Sequence, residues 1–102
     1  MKIVINITFG AFEVSKALYK ELGLEWDGYG FLNNEMFGIK SEDYYAYRTA
    51  PELIEAIEKI GVKESTGELS KLKVIKIPDD VEWYIQNYDG NETIHKKHRI
   101  WS

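Results

Sequence analysis

Residues 81–102 read VEWYIQNYDGNETIHKKHRIWS, and the way this stretch folds decides the architecture. Val81, Trp83 and Ile85 alternate with Glu82, Tyr84 and Gln86, the period of two that marks a strand with one buried face. Asp89-Gly90 follows as a two-residue turn. A type I′ turn needs positive φ at both central positions, which glycine takes freely and aspartate tolerates. A second strand is therefore predicted after the turn, running into the basic and aromatic tail His95, Lys96, Lys97, His98, Arg99 and Trp101. Immediately upstream, Leu72 to Ile77 reads as another strand, and Pro78-Asp79-Asp80 as the turn out of it. Proline cannot continue a strand ladder, and the two aspartates favour a turn. The expectation is three antiparallel strands joined by two hairpins.

Further out, Lys2 to Thr8 reads as the first strand, with Ile3, Ile5 and Ile7 on one face and Val4, Asn6 and Thr8 on the other. Polar Asn6 and Thr8 imply that the second face meets either a polar ligand or neighbouring backbone. The first helix is expected from an N-cap at Ser15 to just before Gly23, with Ala17, Leu18 and Leu22 buried and Tyr19 at the margin. In the second helix, Thr49-Ala50-Pro51-Glu52 fits a capping box. Its apolar stripe is Leu53, Ile54, Ile57 and Ile60, and Gly61 ends it. Residues 63–70 read as a loop. Residues 24–48, rich in glycine and aromatics, read as a partly ordered excursion with a short strand over Glu42 to Arg48. The whole predicts one α+β domain over residues 1–102: two helices packed on one face of a mixed or antiparallel sheet of about four strands.

Composition narrows the classes of function. The chain has 102 residues, no cysteine, and no apolar run approaching the roughly 20 residues that span a bilayer. Disulfides, thiolate metal sites and thiol nucleophiles are excluded, no membrane role is implied, and a cytoplasmic location is expected. The net charge of −4 is uneven. Residues 91–102 carry Lys96, Lys97 and Arg99 against Glu92, a net of +2, which leaves −6 on the other ninety residues. An acidic body makes nucleic acid an unlikely partner, whereas a local basic patch suits one or two phosphates. Seven Tyr, four Phe and three Trp are more rings than so small a core buries, which points to a homo-oligomer.

The candidate ligand-binding residues are Arg99, Lys97, His98, His95, Trp101, Arg48, Tyr45, Tyr47, Asn6 and Thr8. Arginine and lysine would hold phosphate, and aromatic rings would stack on a base. The alternative for the lysines is a charged edge strand that resists pairing. His95 and His98 stand three apart, a spacing that on a helical face could hold a metal together with a carboxylate, but two histidines without a fixed third ligand are a weak signal for one. No nucleophile lies at a spacing that implies a catalytic pair. The reading thus assigns no catalytic residue, metal or cofactor.

The closing Tyr88-Asp89-Gly90 and Ile94-His95-Lys96-Lys97-His98-Arg99-Ile100-Trp101 resemble the ending of a family of small phage- and prophage-encoded proteins. The resemblance extends to the Lys2–Asn6 start, to Arg48-Thr49, Pro51 and Leu53-Ile54, and to Ile77–Trp83. Such relatives usually have an acidic residue where this chain has Lys96, so its tail is the more basic. The resemblance brings no activity of its own and implies a phage setting, with interference in host machinery. Three functions follow as expectations: sequestering an anionic, nucleotide-like ligand that serves host defence signalling, inhibiting a host enzyme by protein–protein contact, or hydrolysis using His95 or His98.

Overall fold

The computed structural model describes residues 1–96. The tail residues Lys97, His98, Arg99 and Trp101 lie outside the described residues. In chain order the elements are strand β1 (Lys2–Asn6), helix α1 (Lys16–Glu21), 3-10 turns at Glu35–Phe37 and Ala46–Thr49, and helices α2 (Pro51–Ile60) and α3 (Val62–Ser65). Strands β2 (Leu72–Lys76), β3 (Trp83–Tyr88) and β4 (Asn91–Lys96) complete the chain. The class is α+β, as the patterning predicts. No helix among the described residues is long and apolar enough to cross a membrane.

The four strands divide into two antiparallel pairs, β1 with β2 and β3 with β4. The β3–β4 hairpin forms as its sequence dictates. Asp89 has φ 49° and Gly90 φ 88°, the two positive values of a type I′ turn. A Cβ built on Gly90 would stand 1.8 Å from the Gly10 carbonyl oxygen, so no larger residue fits there. The other predicted hairpin does not form. After Lys76 the chain leaves β2 without pairing it to β3, and β2 lies instead against β1, with Ile3 opposite Ile75 and Val4 opposite Val74.

This β1–β2 ribbon is the middle layer. Its Val4 and Leu72 join the main core with Leu18 and Tyr19 of α1 and Leu53, Ile54 and Ile57 of α2. Its opposite face carries Ile3, Ile5, Ile7, Ile75 and Ile77, packed with Trp83 and Ile85 of β3 and Ile94 of β4. The helices thus cover one face, as expected, and the hairpin covers the other. Lys2 reaches Glu58 of α2, and Lys59 of α2 reaches Glu21 of α1.

Local details differ in three places. Ser15 caps α1 by accepting from the Leu18 N–H, but the buried residues are Leu18 and Tyr19, while Ala17 is exposed. The Tyr19 ring joins the main core, edge to face with Trp26, and its hydroxyl donates to the Phe31 carbonyl. Thr49 does not cap α2. It still belongs to the 3-10 turn and donates its hydroxyl to the Ala46 carbonyl, so Ala50 becomes the N-cap, with Pro51 first in the helix. Residues 62–65 form the short α3 rather than loop.

Residues 24–48 contain no strand, and they are well tied. The Asp27 carboxylate accepts three backbone N–H bonds, from Tyr29, Gly30 and Phe31. Asn34 accepts from the Tyr47 N–H and donates to the Asp43 carbonyl. Leu32 and Tyr47 are buried in the main core.

Candidate functional site

The outer edge of β1 carries polar contacts where the two strand pairs meet. Within β1–β2, the Ile77 N–H donates to the Met1 carbonyl and the Ile7 N–H to the Lys71 carbonyl, so odd-numbered residues of β1 bond to β2. The even-numbered residues turn their backbone groups to the other edge. There the Asn6 N–H donates to Glu92 Oε1 at 2.8 Å, and the Val4 carbonyl accepts from Arg48 Nη1 at 3.3 Å. Arg48 in turn grips Glu92 with two bonds, Nη1 to Oε1 at 2.6 Å and Nη2 to Oε2 at 2.8 Å. A buried ion pair therefore stands in for a neighbouring strand, supplying one acceptor and one donor to the β1 edge.

Arg48 is 2% exposed and Glu92 1%. Two unpaired charges would be very costly there, and paired with satisfied neighbours they are tolerable. The guanidinium carbon lies 3.5 Å from the centre of the Phe12 ring, with the Tyr45 and Tyr47 rings at 5.2 and 5.1 Å. These ring faces favour the cation where hydrogen bonds do not reach. Nε alone has no hydrogen-bond partner among the described residues. Burial works against the Arg48 charge, but the bond and charge of Glu92 outweigh it and its pKa is raised. Burial also pushes the Tyr47 phenol up, with Arg48 acting the other way.

Next to this pair lies a groove of about 570 Å³ between the isoleucine face of β1–β2 and strand β4. Ile5, Ile7, Ile75, Ile77 and Ile94 line it, with Asn91, Glu92 and Thr93 along β4. Two lysines complete the lining, Lys73 from β2 and Lys96 at the end of β4, and both are exposed. The size falls in the range of small-molecule sites, roughly 300–1,000 Å³. An apolar floor with two cations at its walls suits a flat or apolar body carrying a negative group.

The candidates named from sequence are scattered by the fold. Arg48 is committed to Glu92 and is not open to phosphate. Asn6 is likewise framework: its amide donates to the Thr8 and Gly90 carbonyls and its oxygen accepts from the Lys71 N–H, so the side chain ties three segments together. Thr8 enters this network through its carbonyl. Tyr47 is buried, parallel to the Phe37 ring, and Tyr45 packs against the isoleucine cluster. His95 sits on the outer face of the hairpin, stacked on Tyr84 with Nε2 2.9 Å from the Thr93 hydroxyl, and it does not line the groove. Sequence reasoning places Lys96 in the basic patch and the β1 isoleucines on one strand face, but it does not single out Lys73 or Glu92. One signal was present: Glu92 shares strand parity with Ile94, and a carboxylate on a buried face demands a cation.

Comparison with protein families, with curated proteins and with solved structures finds no match to this chain.

Proposed function

We propose that this is a small, non-enzymatic binding protein of the phage or prophage type. It sequesters an anionic, nucleotide-like ligand in the isoleucine-lined groove and so interferes with host defence signalling in the host cytoplasm, acting as a homo-oligomer. The supporting observation is the groove itself: five isoleucines form the floor, and Lys73 and Lys96 bring positive charge to its walls. Lys97 and Arg99, two further cations that follow Lys96 in sequence, lie outside the described residues. A protein–protein inhibitor is the second reading, favoured by Phe9 and Tyr88. Their rings meet edge to face at 6.3 Å while 63% and 72% exposed.

Mass spectrometry of the purified protein under native and denaturing conditions tests the proposal. The expected result is a bound anionic small molecule, released unchanged on denaturation, and lost from a Lys73→Glu/Lys96→Glu variant that melts like wild type. Affinity should fall as salt rises, because exposed charges supply part of it. A released product in place of the ligand would move the reading to hydrolysis. Failure to carry or to bind any member of a nucleotide library would end it.

A further inference from the structure

The outer edges of β2 and β3 are built differently. The ladder of β2 has β1 on one side, and its sequence Leu72–Lys76 is LKVIK, with Lys73 and Lys76 exposed. Lysines along an edge discourage addition of another strand, because a second chain would have to bring charge against charge or desolvate it. The ladder of β3 has β4 on one side, and its sequence Trp83–Tyr88 is WYIQNY. Those six residues contain no charge and no proline, and four of them are aromatic or β-branched. Nothing in this strand guards its edge.

Hairpin geometry identifies the backbone groups left on that edge. In a two-residue hairpin the residues flanking the turn, Tyr88 and Asn91, form a hydrogen-bonded pair, and bonded pairs then alternate. Tyr84 and Gln86 therefore bond to β4, while Trp83, Ile85 and Asn87 point their N–H and C=O groups outward. No backbone bond to these outward groups occurs among the described residues. Tyr84 and Tyr88 flank the edge on the solvent face, 44% and 72% exposed.

We infer that β3 is a self-association edge: it pairs antiparallel with β3 of a second copy, joining two hairpins into a four-stranded sheet. This rests on the homo-oligomer reading above and assigns its surface. A second copy fits for two reasons. Antiparallel pairing of one strand with itself is two-fold symmetric, so each copy offers the other the same groups and the contact closes at two. The strand is also neutral in a chain of net charge −4, so here, alone among the described strands, two acidic copies meet without opposing charges in the ladder. The axis falls at Ile85 or Gln86, and a lysine at 86 would lie opposite or diagonal to its own copy.

Sedimentation equilibrium from 5 to 200 µM, with hydrogen exchange on the same samples, tests the inference. The expected result is a species of twice 11.9 kDa, with the Ile85 and Asn87 amides gaining protection as the concentration rises. Gln86→Lys should weaken association at least tenfold and leave the monomer's melting temperature unchanged, whereas Gln86→Thr should associate like wild type. A monomer at 200 µM overturns both the edge and the oligomer reading. A dimer indifferent to Gln86→Lys, or one that leaves the Ile85 and Asn87 amides unprotected, overturns the edge alone.

Discussion

The two faces of the β1–β2 ribbon are made of similar residues and used in opposite ways. On the helix side, Val4 and Leu72 meet Leu18, Leu53 and Ile57, and the cluster closes around them. On the hairpin side, a row of isoleucines is covered only in part, and a groove of about 570 Å³ remains between β2 and β4. The cause is the Arg48–Glu92 pair. By bonding Val4 and Asn6 it takes the place on the β1 edge that β4 would need to join the ribbon. A closed four-stranded sheet is traded for two strand pairs with a cleft between them. A single strand thus faces a dry core on one side and a candidate ligand site on the other.

The sharpest way to break this comparison is to remove the pair. Arg48→Met keeps the length of the side chain but leaves Glu92 charged and buried, which should cost about 3–5 kcal/mol in chemical denaturation. In many proteins, making both partners apolar restores what was lost. Here Arg48→Met/Glu92→Leu should recover only part, because the Asn6 N–H and the Val4 carbonyl would remain unpaired at the β1 edge. Full recovery would show that the pair is not acting as a substitute strand. Next in size is the helix face, where Leu53→Ala opens a cavity in a closed cluster and should cost about 2–5 kcal/mol.

The alkaline limb of stability offers a smaller test of the closed side. Burial, joined by the charge of Asp27, raises the Tyr19 phenol above its ordinary value, and burial raises Tyr47. Both phenols therefore keep their protons in the folded state after the unfolded chain has begun to lose them. The stability this contributes is fully present below about pH 10, the value for an unfolded tyrosine, and is lost as pH rises from there through the folded values. Denaturation midpoints should fall above pH 10 and fall less in Tyr19→Phe. An equal slope in that variant would place the effect elsewhere.

How much of this was legible depends on range. The β3–β4 hairpin could be read because its signal, Asp89-Gly90 between alternating strands, is local. The partner of β2 could not. Pro78-Asp79-Asp80 looks like a hairpin turn, and only tertiary packing decides that β2 pairs with a strand some 70 residues earlier. At the site, the odd-numbered isoleucines of β1 were visible as a face, yet alternation cannot say how fully that face is covered. Arg48 reads from sequence as a residue to hold phosphate, but an arginine among rings reads the same whether it awaits a phosphate or holds a carboxylate. The deciding residue, Glu92, stands 44 positions away and gives itself away only by strand parity.

The smallest effect expected is the one that bears most directly on the groove. Ile7 follows β1 on the isoleucine face, is half-buried, and lines the open cleft. Truncating it removes apolar area already partly in water and leaves no enclosed void, so the cavity penalty that Leu53→Ala incurs does not arise. Ile7→Ala should therefore cost about 1 kcal/mol or less, mainly the transfer of the carbons that are covered. Ile7→Asp tests the chemistry at the same point: a carboxylate on the groove floor repels an anion, while the opening gives it water. Its melting temperature should fall by only a few degrees, and binding of a nucleotide followed by isothermal titration should drop at least tenfold. If Ile7→Ala instead destabilises as strongly as Leu53→Ala, the hairpin closes this face as tightly as the helices close the other. The difference between the two faces would then be gone, and the proposed ligand site with it.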